Sequence, residues 1–242
     1  MGRRTALYFG LSVKSAWKWL FLRLLVYHLS FFVYFCSMNS IFPTLSRALR
    51  WLIRFRKRCG YGIHSPFAFD FVTGVIYEEG CYYAYRELNS WRVTQSSRLR
   101  LKDDQLLFRL ANYVSPATAL AVGEQLDVSL AYLQAGCRHC QWQTVAKDSP
   151  SLVDRLATYS QVDLVYLDQP EMLTKLFPLF LQRVSDKTLI IVRNIRKNKE
   201  TTRQWRQVLA NETVRVSFDL YDFGLLFFES RLNKEDYIIN YF

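Results

Sequence analysis

The stretch Thr118–Leu133, TALAVGEQLDVSLAYL, reads as a strand, a turn with a single glycine, and a helix. TALAVG is a short apolar run closed by a turn, as expected of a strand covered on both faces. VSLAYLQAG follows with apolar residues at helical spacing and stops at Gly136, which is expected to cap the helix. The turn holds Gly123 together with two acids, Glu124 and Asp127. Working outward, the alternation repeats. QWQTVAK is a strand, SPSLVDRLATY a short helix, VDLVYLD a second buried strand, and PEMLTKLFPLFLQRV a helix made irregular by Pro178. KTLIIVRNI is a third buried strand and NKETTRQWRQVLAN a helix. TVRVSFDLYDFGLLFFES closes the series as two strands with a turn near Asp222–Gly224. Repeated strand–helix units ending in a hairpin predict an α/β fold, a Rossmann-like, mostly parallel sheet with an antiparallel edge.

Upstream, GYGIHSPFAFDFVTGVIYEE begins as a turn and continues as a helix, with Ser65 as its cap and Pro66 at its first position. His64 is expected to pack at this helix entry. DDQLLFRLANYVSP is a further amphipathic helix, with Asp103 and Asp104 at its start, favourably placed against the helix dipole. The expected organisation is an apolar, basic segment over 1–43, a helical extension over 44–115 and the α/β domain over 116–242.

With 242 residues, half of them hydrophobic, the chain can bury a substantial core. The net charge of +11 is unevenly spread. No Asp or Glu precedes Asp70, whereas eleven of the 32 Lys and Arg residues do; the remaining 21 basic residues balance the 21 acidic ones. The α/β domain is therefore neutral, which argues against a broad nucleic-acid-binding face on it. Five cysteines, an odd number in a chain of this length, suit a reducing cytosol better than a disulfide framework.

Leu24–Met38, LLVYHLSFFVYFCSM, is strongly apolar. It is short of the ~20 residues that span a bilayer, and no small-residue cleavage site follows it. Membrane anchor, signal peptide and untranslated leader before a true start at Met38 are the competing readings, the last being preferred. TLSRALRWLIRFRKR, residues 44–58, forms a basic amphipathic helix with an apolar stripe of Leu45, Leu49, Leu52 and Phe55. Arg47, Arg50, Arg54 and Arg58 lie away from that stripe. A solvated face is the simpler reading of these arginines, and an anionic membrane surface or an RNA phosphate backbone is the partner that they would suit.

A Rossmann-like sheet ended by a hairpin is also the layout of class I S-adenosylmethionine (SAM) dependent methyltransferases. The segments RFRKRCGYGIHSPFAFDFV, YYAYRELNSWR and LLFRLANYVSP resemble the N-terminal helices of small bacterial O-methyltransferase-like proteins. TALAVGEQLDVSLAYL falls where that family has its SAM loop, VDLVYLDQPE where it has the aspartate after the fourth strand, and DLYDFGLLFFE where it has the closing hairpin. The resemblance covers residues 54–242. It implies SAM as cofactor, with Gly123, Glu124, Asp148 and Asp168 as the positions matching the cofactor site.

Set against that pattern, the supports for the cofactor are eroded. Ala121 stands where an acid ends the first strand, Glu124 replaces a small residue and Asp127 a glycine. Two carboxylates beside the carboxylate of SAM oppose its binding. Ala146 occupies the place of the ribose-gripping acid, leaving Asp148 as its late substitute. Only fourteen residues, Asp148–Gln161, separate the second strand from the next, too few for the helix, third strand and adenine loop of the family. In the metal-dependent members Asp168 would bind Mg²⁺ with an Asp-Asn or Asp-Asp pair; here that pair is Arg193-Asn194, so no metal is expected, and Arg193 is expected to pair with Asp168 instead. The resulting expectation is a methyltransferase-like protein with an eroded site, acting in binding or scaffolding, with self-association as one mode. An active, metal-free methyltransferase using Gly123, Asp148 and Asp168, and a membrane-anchored protein, are the alternatives. No catalytic residue can be assigned.

Cys137–Cys140, CRHC, is a lone CxxC. A zinc site needs two further ligands, and a redox pair belongs at a helix start, so a structural turn is expected. His64 and His139 lack the GxSxG context of hydrolases, and no P-loop is present.

Overall fold

A computed structural model describes residues 43–95, 97–124, 126–146 and 159–242. The apolar run Leu24–Met38, Asp148 and all but the last residue of the helix expected at 149–159 lie outside the described residues, as does the side chain of Arg47. The chain divides into two compact units, Met1–Ile53 and Arg54–Phe242. The first contributes one described helix, α1 (Pro43–Ile53). No helix among the described residues is long and apolar enough to cross a membrane.

In the second unit, α2 (Pro66–Phe71) runs into a π-helical turn, Val72–Ile76, and is followed by α3 (Tyr83–Gln95) and α4 (Leu101–Val114). The sheet unit then alternates β1 (Thr118–Val122), α5 (Asp127–Gly136), β2 (Gln141–Val145), β3 (Leu164–Leu167), α6 (Glu171–Leu181), β4 (Leu189–Arg193) and α7 (Lys199–Leu209). It ends with β5 (Val216–Asp219), β6 (Phe223–Phe227) and β7 (Glu235–Ile238). The seven strands lie in the order β2-β1-β3-β4-β6-β5-β7. The first four are mutually parallel, β6 is antiparallel to β4 and β5, and β7 is parallel to β5. This is the Rossmann-like, mostly parallel sheet with a hairpin that the sequence predicts. No described strand lies between β2 and β3, and β2 forms one edge of the described sheet. β7 is an addition: the hairpin does not end the sheet but hands on to a further parallel strand. Its segment KEDYI reads as polar, because an edge strand keeps only alternate side chains inward.

Alternation along the strands divides the core between the two faces. Ala119, Ala121, Leu164, Tyr166, Ile191, Phe218 and Leu225 face α2, α4 and α5. Leu120, Val122, Val165, Leu167, Ile190, Val192 and Leu226 face α6 and α7. The helices over 66–114 thus share the sheet's core rather than forming a separate extension, and the boundary between units falls at Ile53/Arg54.

Several local expectations are corrected by packing. Ser65 does accept a bond from the Ala68 N–H at 3.4 Å with Pro66 behind it, but His64 is exposed rather than packed. Asp103 and Asp104 do begin α4, yet they are buried ion-pair partners: Asp103 holds Arg100 at 2.7 Å, and Asp104 holds Arg92 at 2.6 Å. Burial pushes the Asp104 carboxyl up despite the bonds from Arg92 and Ser97. Gly136 is the last residue of α5, where a Cβ would stand 2.3 Å from the Phe108 carbonyl oxygen, so this glycine serves the close crossing of α4 and α5. Gly224 lies inside β6 and leaves room for the Trp205 ring, which a Cβ would meet at 2.5 Å. The hairpin turn is carried instead by Tyr221 at φ +76°, whose N–H is held by the Asp219 carboxylate at 2.9 Å. Finally, α1 stops at Ile53, and Arg54 is buried, donating to Asp219 at 3.1 Å and to the Ile239 carbonyl at 3.3 Å. Arg54 is therefore withdrawn from the basic face expected of residues 44–58.

Candidate functional site

The ends of β1, β3 and β4 converge where a doubly wound sheet keeps its ligands. The parallel ladder brings Val122 beside Leu167 and Leu167 beside Val192, so Gly123, Asp168 and Arg193 arrive together one step on. The pairing expected of Asp168 and Arg193 forms: Nη1 donates to Oδ1 at 2.6 Å, with both side chains almost buried. Burial works to lower the basicity of Arg193, but the Asp168 bond and the surrounding negative charge outweigh it and hold the guanidinium above its ordinary value. Tyr166, fully buried on β3, donates to the same carboxylate oxygen at 3.4 Å. Burial, then the charge of Asp168, raises this phenol well above its normal range.

Gly123 explains itself within this cluster. A Cβ there would stand 2.6 Å from the Asp168 Cβ and 3.0 Å from Leu126, so the missing side chain makes room for Asp168. The Gly123 N–H donates to the Val145 carbonyl at 3.1 Å, and the Asp168 N–H to that of Val122 at 3.0 Å. Sheet pairing thus uses both of these backbone donors. Ala121 is fully buried; Glu124 and Asp127 are exposed.

Beside the pair, a cleft of about 270 Å³ opens between the start of α5 and the segment following α3. Asp127, Val128 and Ser129 form one wall, Gln95, Ser97 and Arg98 the other, and Arg193 the floor. Its volume falls just below the ~300–1,000 Å³ of ordinary ligand pockets. Ser97 also binds the buried Asp104 at 2.8 Å, tying this wall to α4. The space over Gly123 is filled by Asp168, the Asp168 carboxylate is spent on Arg193, and Asp127 brings negative charge to the helix start. Among the described residues no three His, Cys, Asp or Glu side chains gather as a metal site.

Of the sequence-derived positions, Gly123, Glu124 and Asp168 are placed around one strand-end turn, with Gly123 packed against Asp168, and Asp148 lies outside the described residues. Tyr166, Ser129, Ser97 and Arg98 were missed. A tyrosine in the middle of a fully apolar strand was the one available signal, since a buried hydroxyl demands a partner.

Cys137 and Cys140 close the turn between α5 and β2, where the Cys137 thiol meets the Pro116 carbonyl at 3.4 Å. Burial pushes the Cys140 thiol up to about 12. At pH 8 it carries almost no thiolate, the reactive form. Iodoacetamide labelling followed by peptide mapping is expected to modify the exposed Cys59 and Cys81 well before Cys140; equal rates would refute the inert-turn assignment.

No family model matches the chain, and no curated protein matches it. Among solved structures it is similar to the O-methyltransferase from Bacillus cereus in complex with SAH, at 11% identity and a TM-score of 0.47, over 65% of this chain and 94% of that one. A putative O-methyltransferase from Klebsiella pneumoniae matches at 12% identity and a TM-score of 0.48, over 64% and 94%. A putative caffeoyl-CoA O-methyltransferase from Staphylococcus aureus matches at 9% identity and a TM-score of 0.49, over 62% and 93%.

Proposed function

We propose that this is a methyltransferase-like protein whose cofactor site is closed by an internal ion pair, and that it acts by binding rather than by methyl transfer. The observation that carries this reading is the Asp168–Arg193 contact at 2.6 Å, packed over Gly123. A cation fixed on the carboxylate removes it as a ligand for metal or substrate, and the Asp168 Cβ occupies the space that the missing Gly123 side chain leaves. Opening the site would expose an ion pair whose partners are individually costly to leave unpaired. The test is calorimetric titration of SAM and S-adenosylhomocysteine into the purified protein. No heat and no thermal shift at millimolar ligand is the expected result. Micromolar binding, about −8 kcal/mol, would overturn it.

The second reading, an active enzyme with a rebuilt pocket, is favoured by the cleft beside α5. It requires SAM binding that weakens when Ser97 or Ser129 is enlarged, together with transfer of labelled methyl groups to an acceptor.

A further inference from the structure

The segment after Arg54 is built as three successive hydrogen-bonded turns. The Lys57 N–H donates to the Arg54 carbonyl at 2.8 Å, Tyr61 to Arg58 at 2.9 Å and Ile63 to Gly60 at 3.1 Å. Cys59, Gly60 and Gly62 take positive φ values of +48°, +78° and +78°, so the chain is coiled tightly on itself. The coil is fixed to the sheet unit at its start and within it. Arg54 is clamped by Asp219 and the Ile239 carbonyl, and the Lys57 carbonyl accepts the Asn240 N–H at 2.8 Å. Phe69 of α2 lies against Gly60, where an added Cβ would touch its ring at 2.9 Å.

This anchored coil holds aromatic side chains in water. Tyr61 is 77% exposed, Phe55 49% and Phe69 45%. Arg56, Lys57 and Arg58 are exposed among them, and the Arg58 guanidinium stands 5.8 Å from the centre of the Phe55 ring. The nearest acid in sequence is Asp70, the first in the chain. Exposed aromatic rings next to cations suit the boundary between lipid headgroups and acyl chains.

We infer that the coil Phe55–Tyr61, with Phe69, docks on an anionic phospholipid surface, the rings entering the interface and Arg56, Lys57 and Arg58 meeting the headgroups. A polyanion such as RNA would also meet the three cations. The residues just before the coil favour lipid, because Leu52 and Ile53 are exposed aliphatic side chains, which acyl chains accommodate and RNA bases do not. Docking here is independent of whether the strand ends take a cofactor.

The test is co-sedimentation of the full chain with vesicles of phosphatidylcholine alone, or of phosphatidylcholine with phosphatidylglycerol at about seven to three, in ~0.1 M salt, where charge attraction persists. Binding to the anionic vesicles and not to the neutral ones is expected. The triple variant Arg56→Gln, Lys57→Gln, Arg58→Gln should lower it between about tenfold and 100-fold. Phe55→Ser with Tyr61→Ser should lower it about tenfold or more, with both variants still melting cooperatively. Equal binding to neutral vesicles would overturn the proposal and assign attachment to the apolar N-terminal run. So would anionic binding indifferent to both variants, or binding of single-stranded RNA through the three cations with none to vesicles.

Discussion

Replacing Asp168 by alanine will cost about 3–5 kcal/mol of folding stability, read as a fall in the urea midpoint. The loss comes from the charge left behind more than from the bond removed. Arg193 is nearly buried, its Nε has no partner among the described residues, and Asp168 is its closest counter-charge at 2.6 Å. Tyr166 would lose the carboxylate to which it donates. The paired change Asp168→Ala with Arg193→Met is expected to recover most of the loss, since an apolar replacement of a whole buried pair is often neutral or stabilising by about 1–4 kcal/mol. A single variant as stable as the parent would remove the ion pair as the feature that closes the strand ends. The paired variant has a second use. If it folds and still gives no heat with SAM, the rest of the cofactor support is lost as well.

The second large effect is expected at Asp219. This one buried carboxylate at the end of β5 holds three groups: Arg54 at 3.1 Å, the Arg196 Nε at 2.8 Å and the Tyr221 N–H at 2.9 Å. Asp219→Ala removes the carboxylate paired with the buried Arg54 and with Arg196 and releases the turn that forces Tyr221 to positive φ, with an expected cost of about 3–5 kcal/mol. At ~2–4 °C per kcal/mol for a domain of this size, the melting temperature should fall by roughly 6–20 °C. Trypsin should then cut first among Arg54, Arg56, Lys57 and Arg58, because the clamp that orders this coil is gone. An unchanged melt with an unchanged cleavage order would refute this role.

The sheet was legible because parallel strands are written as unbroken apolar runs, and LVYL and LIIVR can hardly be anything else once turns flank them. The ion pair was legible for a related reason. Asp168 and Arg193 each follow such a run, and adjacent parallel strands must bring their ends together. Legibility failed where a residue's neighbour comes from far along the chain. Gly224 looked like a turn glycine because nothing local announces the Trp205 ring above it. Asp103 and Asp104 looked like ordinary helix-start acids because their arginines come from other turns. Arg54 belonged by periodicity to a solvated stripe, and the carboxylate that withdraws it lies at Asp219. The cleft walls were invisible for the same reason, being polar residues from the end of α3 and the start of α5 that meet only in the folded unit.

The placement of β7 bears on how the protein is made. The residues just beyond it tie together segments synthesised much earlier. The Asn240 N–H binds the Lys57 carbonyl, Tyr77 donates to the Asn240 carbonyl, and the Tyr241 hydroxyl donates to the Lys102 carbonyl at 2.8 Å. Lys234, just before the strand, donates to the carbonyls of Leu209, Asn211 and Val214. A nascent chain that has emerged only through β6 can pair six strands, but the exposed edge of β5 still waits for its neighbour and the early helices lack these ties. Domains complete their folding as units. Native closure of this one is therefore deferred until residue 241 is clear of the ribosome, and β5 is the edge on which chaperone protection during translation would matter most.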